Sequence, residues 1–155
     1  MVLDTTKINM NWTEYFLGLA EQVKLKSKDQ STQIGAVIVG EDNEVLSTGY
    51  NSFPRGMDDS KIERQERPEK YFWFEHAERN AIYNAARVGV SLKGSTIYLT
   101  SGLPCMDCAR GIVNSGIKTV WCKKVCTTKN KDKWEESQSK SQQLLNECNV
   151  SVFFY

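Results

Sequence analysis

Apolar side chains recur between residues 11 and 28 at Trp12, Tyr15, Phe16, Leu19, Ala20, Val23 and Leu25. That spacing is close to the helical period and predicts an amphipathic helix packing one face, aromatics included, on a sheet. The unbroken apolar run Ile34-Gly35-Ala36-Val37-Ile38-Val39 predicts a buried strand, with Glu44 to Tyr50 as its partner and Glu41-Asp42-Asn43 as the turn. From Asn51 to about Glu69 the periodicity dissolves. Pro54 and Gly56 fix the path of the first part, where Asn51 and Arg55 offer hydrogen-bonding heads. Lys61 to Lys70 reads as a solvated charged surface, although so long a loop in a compact domain is usually functional or mobile. Tyr71-Phe72-Trp73-Phe74 follows and reads mostly as core, with one ring available to wall a pocket.

The second half alternates between periods. His76 to Arg87, with Ala77, Ala81, Ile82, Ala85 and Ala86, fits a helix that Gly89 ends. Ser95 to Thr100 reads as a strand, Cys105 to Ser115 as a helix stopped by Gly116, and Ile117 to Cys122 as a fourth strand. Residues 127–143 are helix-compatible, and Val150 to Tyr155 makes a fifth strand. Without a repeat or a linker, residues 1–155 read as a single α/β domain with its core over about 11–155.

Composition narrows the partners. At 155 residues, 40% apolar and 25% charged, the chain is an ordinary globular sequence with one sizeable core. A net charge of +1 gives no basic footprint for long nucleic acid, whereas a small anionic substrate needs only a local basic pocket. Met1-Val2-Leu3-Asp4-Thr5 has neither a charged nor an apolar leader region, and no run reaches membrane length. Five cysteines is an odd count; with two given to a metal, Cys122, Cys126 and Cys148 are left without an even pairing. A reducing, cytoplasmic setting is the natural reading.

The chemistry gathers on His76, the only histidine. Glu78 stands two residues on, and Pro104-Cys105-Met106-Asp107-Cys108 supplies a Cys-x-x-Cys opening 29 positions after the histidine. One imidazole and two thiolates occupy three corners of a zinc tetrahedron and leave the fourth to water, as a catalytic site requires. Both motifs fall where helices begin. Free N–H groups and the dipole end there favour thiolate over thiol, and Pro104 suits the entry because its missing N–H costs little. Glu78 is free to take a proton from that water and pass it on. A structural Cys₃His zinc, with Cys122 or Cys126 as fourth ligand, is the competing arrangement; it leaves Glu78 unexplained.

The order His-x-Glu…Pro-Cys-x-x-Cys is the signature of zinc nucleobase deaminases. From about Ser31 to Cys122 the chain resembles the deoxycytidylate (dCMP) deaminase family of the cytidine deaminase superfamily. The matching pieces are Ile34 to Val39, Gly49-Tyr50-Asn51-Ser52-Phe53-Pro54-Arg55-Gly56, His76-Ala77-Glu78-Arg79-Asn80-Ala81-Ile82 and Pro104-Cys105-Met106-Asp107-Cys108-Ala109. The resemblance implies a three-layer α/β/α sandwich with a five-stranded mixed sheet. It implies hydrolysis of dCMP to dUMP and ammonia, supplying thymidylate synthesis, with one catalytic zinc on His76, Cys105 and Cys108 and Glu78 as proton shuttle. Asn51 corresponds to the family's sugar- or phosphate-contacting asparagine, and Ala77 and Pro104 fall on further substrate-binding positions. Members are often homohexamers, activated by dCTP and inhibited by dTTP, each with Mg²⁺.

Three departures stand out. Ser52 replaces the usual glycine; residues 52–75 lack the Cys and His of a second zinc site seen in some relatives. Where many relatives carry a phosphate-contacting tyrosine, this chain has Lys123-Lys124-Val125-Cys126. Arg55, Lys123 and Lys124 therefore become the expected phosphate or effector contacts. Two other readings stay open: a deaminase of tRNA adenosine or other nucleic acid, and a non-catalytic zinc- or nucleotide-binding module.

Overall fold

A computed structural model of the protein describes residues 9–124 and 131–155. Helix α1 (Trp12–Lys24) starts at Asn11, whose side chain accepts the Glu14 N–H at 2.9 Å. It ends before residue 28 because Ser27 and Asp29 turn their side chains onto backbone groups. Ser27 Oγ donates to the Asn51 carbonyl and accepts the Asp29 N–H, and Asp29 Oδ1 accepts the Ser31 N–H. Strands β1 (Gly35–Val39) and β2 (Val45–Tyr50) form the expected hairpin. A short 3₁₀ turn (Ile62–Gln65) and the four-residue helix α2 (Lys70–Trp73) interrupt the long loop. Then come α3 (Ala77–Val88), β3 (Thr96–Leu99), α4 (Met106–Asn114), β4 (Thr119–Cys122), α5 (Lys131–Glu147) and β5 (Ser151–Phe154).

The five strands lie in the order β2-β1-β3-β4-β5. β1 is antiparallel to both neighbours, while β3, β4 and β5 run parallel, so the sheet is mixed. Every residue of β1 is buried, as expected for a central strand covered on both faces. On one face Ile38, Ile97, Leu99 and Val120 meet Ala81 and Ala85 of α3, Ile112 of α4 and Leu145 of α5. On the other, Val37, Val39 and Tyr98 meet Phe16 and Ala20 of α1. The three-layer α/β/α sandwich of the resemblance is therefore present.

Two glycines set how closely the layers approach. A Cβ on Gly49 would run into the backbone of Ala77 and Ala81, so α3 can press its small-residue face onto β2 only because that position is bare. Gly35 gives α1 the same access to β1 at Ala20 and Lys24. Gly89 (φ 77°) caps α3 in the left-handed region, as its place after the periodic run predicts.

Several expectations are corrected. The aromatic run is not core: Tyr71, Phe72 and Trp73 are exposed on α2, because a helix of four residues has no sheet beneath it. Trp12 and Tyr15 of α1 are likewise exposed, leaving Phe16 as the aromatic that enters the core. Lys70, expected on a solvated surface, is buried against Asp29. α5 extends to Glu147. No helix among the described residues is long and apolar enough to cross a membrane.

Candidate active site

Antiparallel pairing brings the end of β2, the start of β1 and the end of β3 to one edge of the sheet. The chain leaves that edge twice to enter a helix. After Asn51 it passes through the long loop and returns by a bridge between Ser52 and Glu75, which sets His76 as the N-cap of α3. After β3 it passes through residues 100–104, which sets Cys105 as the N-cap of α4. Both residues thus stand one step ahead of the first helical turn, where the sequence had placed them inside it. Cys108 follows within α4 and is fully buried.

This geometry converges three donors. Cys105 Sγ and Cys108 Sγ each lie 3.5 Å from His76 Nδ1, and all three atoms fall within 4.8 Å of one another. Tetrahedral zinc with ordinary Zn–N and Zn–S bonds separates nitrogen from sulfur by about 3.6 Å. The donor set therefore fits zinc without rearrangement. Charge points the same way: contact with Cys108 and with His76 draws the Cys105 thiol down to about 3, and the same contact, with burial, pushes Cys108 up. The first proton leaves the pair easily; the second needs a cation between the sulfurs. The Cys105 sulfur also raises the His76 ring, against the effect of burial.

Glu78 is only 4% exposed, and burial pushes its carboxyl above the ordinary range, opposed by the neighbouring His76 ring. A carboxyl tuned upward holds and releases protons closer to neutral pH. Cys122 is buried at the end of β4, and burial pushes its thiol up to about 12, which suits a packed thiol better than a ligand. Cys126, the other candidate fourth ligand, lies outside the described residues. The four described cysteines are free.

His76, Glu78 and Cys105 open into a cavity of about 550 Å³. Its metal end also carries Arg79, Ser101, Leu103 and Asp107; its far wall carries Asp29, Thr32, Asn51, Arg67, Lys70, Tyr71 and Phe74. Arg79 pairs with Glu75 and reaches Asp107 at 3.7 Å, so a single guanidinium ties the segment before His76 to the residue between the two cysteines.

The family of the cytidine and deoxycytidylate deaminase zinc-binding region matches residues 10–124. The chain belongs to that family. It is 39% identical over 141 residues to an uncharacterized deaminase of Aliivibrio fischeri, covering 91% of each chain. It is 42% identical over 109 residues to a probable deoxycytidylate deaminase of Caenorhabditis elegans, covering 68% of this chain and 54% of that one. With the deoxycytidylate deaminase of Mus musculus it shares 37% over 116 residues, 72% of this chain and 64% of the other. The chain thus spans between half and two thirds of those two relatives. Its fold matches the dCMP deaminase of cyanophage S-TIM5, solved with dCMP and dUMP, at a TM-score of 0.72 and 22% identity, covering 95% and 100%.

Of the remaining residues singled out in the sequence, Asn51 lines the cavity, but its side chain is held within the chain. Its Oδ1 accepts the Ile34 N–H at 2.8 Å, and its Nδ2 donates to the Thr32 carbonyl at 2.7 Å and Asp29 Oδ2 at 3.3 Å. Ala77 and Pro104, next in sequence to His76 and Cys105, are fully buried, and neither is among the described residues lining the cavity. Arg55 donates to Asn84 Oδ1 at 2.7 Å in a separate surface depression of about 90 Å³. Lys123 turns to Glu21 of α1 at 3.2 Å, and Lys124 is exposed. None of these three cations is among the described residues lining the cavity. Sequence reasoning missed Asp29, Arg67, Lys70 and Arg79, whereas the ring expected to wall a pocket is met twice, by Tyr71 and Phe74. Lys70 closes the charged run that begins at Lys61, so its local sequence pointed to solvent and gave no signal of burial.

Proposed function

We propose that this member of the deaminase family hydrolyses dCMP to dUMP and ammonia, with one zinc ion held per chain by His76, Cys105 and Cys108. The observation that carries the proposal is the convergence of those three donors beside a buried, upward-tuned Glu78 at the end of a nucleotide-sized cavity. A zinc ion held there by His76, Cys105 and Cys108 would supply Lewis acidity and make hydroxide available near neutral pH. Glu78 takes one proton from the attacking water as its oxygen bonds to C4 of the pyrimidine and delivers it to the ring nitrogen. It then moves the proton left on that oxygen to the amino group, so the C4–N bond breaks as the carbonyl forms, and water enters and ammonia leaves with no net proton consumed. The Phe74 ring supplies an apolar surface to the cavity, and Asn51, fixed by Thr32 and Asp29, lines it too.

The family resemblance extends the proposal to thymidylate supply, a cytoplasmic setting, a homohexamer, and control by dCTP and dTTP with Mg²⁺. The place of Arg55, away from the metal cavity, supports an effector contact better than a substrate contact. Ammonia release should be measured across dCMP, dCTP, CMP, deoxycytidine and an adenosine-bearing tRNA, alongside metal analysis. The expected result is dCMP as the leading substrate and one zinc per chain. Preferential turnover of the tRNA, or equal turnover of dCMP and deoxycytidine, would replace this reading with another.

A further inference from the structure

We infer that Arg67 is the cation that receives the substrate's 5′-phosphate and so sets a preference for nucleoside monophosphate over free nucleoside. The inference rests on the dCMP reading above and names the specificity residue within the same site. Three cationic residues line the cavity: Arg67, Lys70 and Arg79. Two are already spent. Lys70 Nζ donates to Asp29 Oδ2 at 2.8 Å, Asp29 Oδ1 at 3.1 Å and Ser31 Oγ at 2.8 Å, which uses all three ammonium donors in a buried pair. Arg79 is 19% exposed and divided between Glu75 and Asp107.

Arg67 differs from both. It is exposed, and among the described residues it makes no ion pair with a carboxylate. Its guanidinium lies 5.9 Å from the centroid of the Tyr71 ring, and both residues line the cavity. A guanidinium resting over a ring spends its face on the aromatic and keeps its in-plane N–H fork for a ligand. The charge balance makes the same selection. Zinc with two thiolates and a neutral imidazole is neutral, and the Asp29–Lys70 pair is neutral. A phosphate dianion entering this cavity meets one cation without a carboxylate partner, and its oxygens match a bidentate fork.

The test is steady-state kinetics on dCMP and deoxycytidine with the full chain loaded with zinc, for the parent, Arg67→Ala and Arg67→Lys. A side chain exposed on a loop is not needed for folding, and zinc content and thermal melting verify this for each variant. Arg67→Ala should lower kcat/KM for dCMP about 10- to 100-fold, mainly through KM, and leave deoxycytidine within about threefold. Arg67→Lys should recover part of the loss, since it restores a charge but not the fork. Titration with dUMP and deoxyuridine gives a readout free of turnover: Arg67→Ala should weaken dUMP binding alone. If the parent prefers dCMP and Arg67→Ala keeps that preference, Arg67 is not the anchor and the monophosphate reading stands. If the parent itself makes no distinction, the monophosphate reading falls and takes this inference with it.

Discussion

The metal end of the cavity rests on two helix N-termini pressed against the sheet, whereas the far wall is assembled from two irregular segments, residues 25–34 and 52–75. At the metal end, position follows from packing. Bare Gly49 seats α3, the small face of Ala77, Ala81 and Ala85 keeps it close, and His76, Cys105 and Cys108 converge as a consequence. The far wall has one apolar anchor, the Phe53–Phe74 pair with ring centroids 4.3 Å apart, and both rings belong to the second segment. What joins its two segments is the buried ion pair between Asp29 and Lys70, with Ser31, Thr32 and Asn51 satisfying the remaining groups. One end is thus fixed by the core and suited to invariant chemistry; the other is fixed by polar contacts whose partners lie far apart in sequence, and it is suited to choosing the substrate.

The largest break in this comparison comes from the metal end. Cys105→Ser should abolish zinc retention and leave no measurable ammonia release, while the melting transition survives because the sheet and helices pack through Ile97, Leu99, Ile112 and Val120. Metal analysis and calorimetry on one preparation check both halves. Full zinc occupancy in the variant would mean that the metal is held elsewhere.

A smaller but sharper break comes from the far wall. Lys70→Met removes one partner and leaves Asp29 buried without a cation, which should cost about 3 kcal/mol in urea unfolding at neutral pH. The pH dependence carries the sign. Burial alone would raise the Asp29 carboxyl, but Lys70 and Ser31 hold it below the ordinary range. In the parent the carboxylate therefore adds stability that is fully present above the unfolded value near pH 4 and is lost as pH falls through the lower folded value. In Lys70→Met the stranded carboxyl takes up a proton earlier, so the gap between variant and parent should narrow from pH 7 toward about pH 4. A gap independent of pH would assign the loss to packing of the lysine stem instead.

The same division explains what could be read in the sequence. Strand order apart, the layers were legible because β1 is an unbroken apolar run and α3 and α4 carry clean helical spacing ended by Gly89 and Gly116. The candidate ligands could be picked out because a histidine, a carboxylate and a Cys-x-x-Cys form a local pattern, and the fold brings the three donor atoms within 4.8 Å of one another. The far wall was not, since no periodicity links Asp29 to Lys70 across 41 positions. Tyr71, Phe72 and Trp73 misled for a related reason: hydrophobicity alone indicates burial, and only the shortness of α2 shows that nothing lies beneath it. Arg55, Lys123 and Lys124 were chosen as basic residues near a motif. Their partners, Asn84 and Glu21 for the first two, come from elements that sequence spacing does not bring together.

Glu78→Gln tests the central claim most directly, because it keeps size and hydrogen bonding while deleting the proton carrier. Ammonia release from dCMP should be followed at matched zinc content for the parent and the variant. With Glu78 acting twice in one cycle, turnover should fall by about 10⁴-fold, the upper end for general acid–base steps, with zinc retained and KM little changed. Turnover within threefold of the parent at equal zinc would remove Glu78 from the chemistry and contradict the account.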